Sequence, residues 1–234
     1  MRALILVDLQ NDFCKGGALE MKNGDAAIPI ANQLMPKFDI VVATQDWHPA
    51  NHGSFAANHL WRKPGQVINL NGLQQVLWTL HCVQNSFGAM FHKELNTEGV
   101  HKIIQKGTDP ELDSYSGFFD NGRRKQTELD DYLSSKNVDE VFVMGLALDY
   151  CVKFTALDAV SLGYKTYLVE DGSLGLNLTE GDADNAILEM KKAGVKIIRS
   201  SEIVTTQVDA PEGQNVGSNE CMPIVQAPEG RNIG

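Results

Sequence analysis

The 234-residue chain carries 43% hydrophobic residues and a formal net charge of -10, enough to build one α/β domain around a full core and the wrong sign for nucleic-acid or anionic-membrane partners, which need a basic surface. Its four cysteines, Cys14, Cys82, Cys151 and Cys221, are widely spaced and form no C-x-x-C pair, so they are expected to be reduced thiols of a cytoplasmic protein. The apolar opening is cut short by Asp8 before it could serve as a signal peptide, and no stretch is long enough to span a membrane.

In chain order, Ala3 to Val7 is a continuous apolar run, the pattern of a strand covered on both faces, and it ends at Asp8. A helix is expected from Asp25 to about Met35, with Pro29 tolerable in its first turn. Ile40 to Ala43 is a second buried strand with Asp46 just past its end. Ile103 to Gln105 is a third, followed by Lys106-Gly107. A polar helix is expected from about Arg124 to Ser135, then a strand over Val141 to Met144, ended by Gly145. A helix follows from Cys151 to Leu162, a strand over Thr166 to Val169, a helix from Asp182 to Ala193 stopped by Gly194, and a last strand over Val195 to Ile198. Alternation of this kind predicts a three-layer α/β/α fold with a six-stranded parallel sheet of order 3-2-1-4-5-6. Ligands of such sheets sit at the carboxyl ends of the strands, near the reversal of strand order. Asp8, Asp46, Lys106 and Cys151 all lie at or just past those ends.

Two regions depart from the alternation. The connection from Trp47 to Lys102 is too long for an ordinary link and holds all six histidines, His48, His52, His59, His81, His92 and His101, as a functional loop would. After Thr206 the chain is poor in apolar residues and repeats itself, Ala210-Pro-Glu-Gly-Gln-Asn-Val-Gly217 and Ala227-Pro-Glu-Gly-Arg-Asn-Ile-Gly234. The expected organisation is a domain over 1–205 with its special loop at 47–102, and an irregular arm over 206–234 lying on the core or on a neighbouring subunit of a homo-oligomer.

Cys151 is the candidate nucleophile. Asp149 stands where an N-cap would, so a helix end is expected to aim N–H groups and a positive dipole end at the sulfur and lower its pKa. A cysteine nucleophile also needs a base. Either a loop histidine supplies it, or Asp8 accepts the proton while the Lys106 ammonium stabilises the thiolate. Asp46-Trp-His48, with His52 and His81, offers one carboxylate and several imidazoles, a set suited to zinc, iron or manganese. An Asp-x-His pair in an extended segment puts both side chains on one side.

Asp8-Leu-Gln-Asn-Asp-Phe13, Thr44-Gln-Asp-Trp-His-Pro-Ala-Asn-His-Gly-Ser-Phe55, Trp78-Thr-Leu-His-Cys-Val-Gln-Asn85, Lys106-Gly107 with Asp113-Ser-Tyr-Ser-Gly-Phe118, and Gly145-Leu-Ala-Leu-Asp-Tyr-Cys-Val152 together resemble the nicotinamidase/pyrazinamidase branch of the isochorismatase-like cysteine hydrolases, in order over about residues 1 to 203. The resemblance implies an isochorismatase-like fold and hydrolysis of nicotinamide to nicotinate and ammonia through a thioester, a step in NAD salvage. It implies Asp8, Lys106 and Cys151 as catalytic residues and Asp46, His48 and His81 as ligands of one divalent metal, zinc first, with iron and manganese as alternatives. His52 ligates in some relatives only. It further implies Phe13, Trp78 and Tyr115 as walls around the substrate ring, and a cis Leu146-Ala147 bond that turns the Ala147 N–H, with that of Cys151, toward an oxyanion. Tyr150, before the nucleophile, is a position where relatives vary and which could tune the ring substituents accepted. Two other readings compete: a carbamoyl or ureido cysteine hydrolase of the same fold, and an inactive metal-containing binding module.

Overall fold

The computed structural model describes residues 1–204. The repeated arm and Cys221 lie outside the described residues. The central sheet contains β1 (Arg2–Val7), β2 (Ile40–Asp46), β5 (Lys102–Lys106), β6 (Glu140–Leu146), β7 (Lys165–Leu174) and β8 (Lys196–Ile198). All its pairs are parallel. The spatial order is β5-β2-β1-β6-β7-β8. Counted among the sheet's own strands, this is the expected 3-2-1-4-5-6. Two further strands, β3 (Val67–Leu70) and β4 (Leu73–Val76), form an antiparallel hairpin inside the long connection.

The uninterrupted apolar runs become strands because both faces of the sheet are covered. From Ala3 to Val7 every residue of β1 is fully buried, alternate side chains entering different cores. Leu4 and Leu6 join one cluster with Ala27, Ile28, Ala31 and Leu34 of α1 (Ala27–Leu34), whose apolar residues recur at helical spacing. Cys82, Ala89 and Leu95 bring the long connection into that same cluster. Ala3, Ile5 and Val7 face the other way, onto α2 (Leu129–Ser135), α3 (Lys153–Ser161) and α4 (Asp182–Ala193) through Leu129, Leu133, Ala156, Ala159, Ala186 and Met190. α4 has the expected bounds, with acids in its first turn, lysines in its last and Gly194 in a left-handed C-cap. Among the described residues no helix is long and apolar enough to cross a membrane.

Two helix starts differ from expectation. Residues 124–128 are not helical, because the Arg124 and Lys125 N–H groups donate to the Asp120 carboxylate and Gln126 bridges to Phe119, so α2 begins only at Leu129. Cys151 is not the first residue of an α-helix. It lies in a π turn, Leu148–Val152, that precedes α3, in which the Val152 N–H reaches back to Ala147 O. Asp149 is no N-cap either: its carboxylate accepts the Leu176 and Asn177 N–H groups, tying this turn to the segment after β7. β6 approaches β1 closely at Gly145, where φ is +132° and a Cβ would lie 2.1 Å from Val7 O, so only glycine fits.

Candidate active site

The parallel register delivers the site. Asp46 and Lys106 end neighbouring strands as register partners, and Asp8 follows β1 directly in a left-handed conformation, φ +50°. The π turn after β6 carries Cys151 to the same edge. Here β1 lies between β2 and β6, where strand order reverses.

The four groups converge in a buried cluster. Lys106 Nζ donates to Asp46 Oδ1 at 2.6 Å, to Ser114 O at 3.0 Å and to Cys151 Sγ at 3.4 Å. With its three hydrogens so committed, the ammonium faces Asp8 Oδ2 at 2.9 Å as an ion pair, while that oxygen keeps no aligned donor. Asp8 Oδ1 accepts the Thr44 hydroxyl at 2.6 Å. Lys106 bonds the Cys151 sulfur, and a carboxylate oxygen of Asp8 lies within 4.8 Å of it. Of the two expected alternatives for a base, the carboxylate–lysine pair is the one whose residues stand at the sulfur.

Charge states follow from burial and neighbours. Burial is the largest influence on Asp8 and raises its pKa, with Lys106 opposing. Burial acts to lower Lys106, yet Asp46 and Asp8 together outweigh it and hold the ammonium well above the ordinary lysine range. Burial likewise pushes the Cys151 thiol well above its usual value, and Lys106 only partly offsets this. The expected lowering by a helix end is therefore corrected. The sulfur lies in a π turn rather than at an α-helix start, buried beside two carboxylates, and burial is the largest influence on it.

Beside this cluster, Asp46, His48 and His81 present ligand atoms within 4.8 Å of one another. His48 Nδ1 bonds Gly107 O at 2.9 Å and His81 Nδ1 bonds Thr79 O at 2.8 Å. Carbonyls only accept, so both protons sit on Nδ1. Both Nε2 atoms then face the same carboxylate oxygen, Asp46 Oδ2, at 3.3 and 3.6 Å. Bare Nε2 lone pairs on the two rings would repel the carboxylate oxygen they face, whereas one divalent cation among them satisfies all three. The residues fit such an ion. His52 sits against His48, ring centroids 4.5 Å apart, with its Nδ1 at 2.7 Å from Ser54 Oγ and 3.1 Å from the Ser54 N and its Nε2 buried without a partner. Burial and then His48 lower its pKa to about 4, so it stays neutral.

Between the two groups opens a largely apolar cavity, with Cys151 and Ala147 on one side, Asp46, His48 and His81 on another, and walls from Phe13, Trp78, Tyr115 and Tyr150. Trp78 and Tyr150 meet edge to face at 4.9 Å, and Trp78 Nε1 donates to the Tyr115 hydroxyl at 3.2 Å. Leu146-Ala147 is cis, as expected. Asp8 and Lys106 stand behind the sulfur rather than in the wall. Sequence reasoning missed Leu19, Met21, Asp113 and Leu176, which also line the cavity. Only Asp113 had a signal, its place in the motif ending at Phe118, where it accepts from Gln75 Nε2 at 2.9 Å. His59 and His101 bond backbone groups instead, Gly53 O and the Val41 N–H.

A protein-family model, described as the isochorismatase domain, matches residues 2–202. The nicotinamidase of Escherichia coli is 50% identical over 212 residues, 88% of this chain and 98% of that one. The solved structure of the Acinetobacter baumanii nicotinamidase is 44% identical and superposes with a TM-score of 0.84, covering 87% of this chain and 98% of that one. The pyrazinamidase of Pyrococcus horikoshii in complex with zinc is 40% identical with a TM-score of 0.68, over 85% of this chain and 98% of that one.

Proposed function

The chain belongs to the isochorismatase family, and from that premise and the geometry of its site we propose that it hydrolyses nicotinamide to nicotinate and ammonia. The observation that carries the reading is the placement of the Cys151 sulfur, held between the Lys106 ammonium at 3.4 Å and the Asp8 carboxylate, at the base of an aromatic slot shaped for a flat ring.

Asp8 acts as base. Its free Oδ2 takes the thiol proton, and because burial raises both pKa values, the transfer joins two groups displaced in the same direction. The thiolate exists as the proton leaves, facing an ammonium whose gross attraction at 3.4 Å is about 5 kcal/mol at an effective dielectric of ~20. The sulfur attacks the carboxamide carbon. The Ala147 and Cys151 N–H groups receive the developing oxyanion. Asp8 returns the proton to the departing ammonia, leaving a thioester, then deprotonates the water that releases nicotinate and the thiol.

Asp46, His48 and His81 would hold one divalent ion, zinc being favoured by the two-imidazole, one-carboxylate donor set and by the zinc-bound relative. When bound, that ion would supply a Lewis-acidic position for the ring nitrogen and so fix the ring's orientation. Phe13, Trp78 and Tyr115 clasp the ring, and residues 1–205 form the catalytic unit. The product is the free acid from which pyridine nucleotide can be rebuilt, which places the reaction in NAD salvage.

The test is ammonia release from nicotinamide by the purified protein. Wild type is expected to turn over and Cys151→Ala to lose activity while retaining fold and metal. Wild-type-like turnover by that variant would refute the assignment.

A further inference from the structure

A second cluster of metal-binding donors lies outside the catalytic cavity. Cys14 follows the short turn Asn11–Phe13, Asp25 lies in the turn before α1, and His92 belongs to the long connection just past the Gln10–Phe91 bridge. Tertiary structure brings one sulfur, one carboxylate oxygen and one ring nitrogen within 4.8 Å of one another. All three residues line a surface cavity of about 460 Å³ that contains none of the residues of the site described above.

We propose that Cys14, Asp25 and His92 form a second metal site, for a transition-metal dication of zinc or cobalt type. The donor set is thiolate, carboxylate and imidazole, the mixture preferred by borderline metals over calcium or magnesium. Three protein donors leave further positions open to water from the cavity. The present contacts are those a metal would replace. The Cys14 sulfur lies within 4.8 Å of an Asp25 carboxylate oxygen, and binding exchanges the thiol proton for the ion, releasing that proton to solvent. Asp25 Oδ1 accepts the Lys15 N–H at 3.0 Å, holding the carboxylate in place. The Glu94 N–H meets His92 Nδ1 at 3.3 Å, beyond the usual length of a strong hydrogen bond, so the ring is loosely held and can turn a lone pair to the ion.

The cavity's charges favour a cation. Among its lining groups, Asp12, Asp25 and Glu94 outnumber Lys15 and Lys93. Burial, with Asp25 adding to it, pushes the free Cys14 thiol up to about 12, so without metal this sulfur is protonated and inert. The site would tie the segment from Cys14 to Asp25 to the distant His92. That segment carries Leu19 and Met21 of the catalytic cavity, with Phe13 just before it, so occupancy of the site would stiffen that wall without taking part in chemistry.

A thiolate ligand separates the two sites experimentally, since Asp46, His48 and His81 contain no sulfur. Metal-free full-length protein is titrated with cobalt(II) and the near-ultraviolet thiolate-to-cobalt charge-transfer band is followed in wild type, Cys14→Ser and Cys151→Ala. The band is expected in wild type and Cys151→Ala and absent from Cys14→Ser, which should bind one ion fewer per chain. Asp25→Asn should weaken the band's titration at least tenfold, and far-ultraviolet circular dichroism confirms that each variant is folded. A band absent from wild type, retained in Cys14→Ser, or lost with Cys151 instead would overturn the proposal.

Discussion

Gly107→Ala tests the proposed metal centre through a residue that contributes no side chain to it. Gly107 follows β5 with φ +63°, and a Cβ built there would stand 2.4 Å from His48 Cε1 and 2.6 Å from Nδ1. Ordinary contact begins near 3.4 Å, so the imidazole must retreat by about 1 Å. It has nowhere to go, being boxed by the rings of His52, Phe55 and His81 at 4.5, 5.4 and 5.1 Å. The shift also breaks the 2.9 Å bond from Nδ1–H to Gly107 O, which fixes the tautomer. Left-handed backbone adds about 1–2 kcal/mol of destabilisation for any residue with a Cβ. Loss of such an orienting bond costs about 10–100-fold in metal affinity, or ~1.4–2.8 kcal/mol. Competition for zinc against a chromogenic chelator measures the affinity, and thermal unfolding of the metal-free protein measures the backbone cost. A variant that binds zinc as tightly as wild type would refute the reasoning, because His48 would then have room that the packing denies it.

Asp8→Asn keeps the shape of the side chain and removes the proton acceptor, so kcat should fall about 10²–10⁴-fold with zinc content unchanged, read by ammonia release and metal analysis. Lys106→Met fills a similar volume but leaves Asp8 and Asp46 facing each other unpaired. Denaturant unfolding should show a loss of about 3–5 kcal/mol, and an equally stable variant would mean the ammonium is not the keystone of the cluster. Trp78→Ala should raise KM for nicotinamide more than it lowers kcat, since in the proposed binding mode the indole would pack on the ring rather than on the reacting carbon. Removing one aromatic wall costs about 1–3 kcal/mol of binding, and steady-state kinetics separate the two parameters.

Much of the site was readable from the chain because the information is local. Non-alternating apolar runs mark strands buried on both faces, and an acid, a lysine or a cysteine at or just past the ends of four of them marks the edge where ligands sit, so the chain alone gathers Asp8, Asp46, Lys106 and Cys151. Asp46 and His48, two residues apart in extended backbone, announce their shared side in the same way. Helix starts were less legible where side chains capture backbone groups. Asp120 holds the Arg124 and Lys125 N–H groups out of α2, and Asp149 turns to residues 176 and 177 instead of capping α3.

What the sequence by itself determined was the parallel architecture, its strand order and the residue types of the site, since these follow from periodicity, spacing and motif. Only the tertiary structure decided the electrostatics. The ammonium of Lys106 is threaded between two carboxylates and a sulfur, and burial raises the Cys151 thiol where a helix end alone would have lowered it. Only the tertiary structure, too, set the Nδ1 proton positions that aim two imidazoles at Asp46 and gathered Cys14, Asp25 and His92. Desolvation and long-range convergence depend on how much protein surrounds each atom, a quantity that no linear spacing encodes.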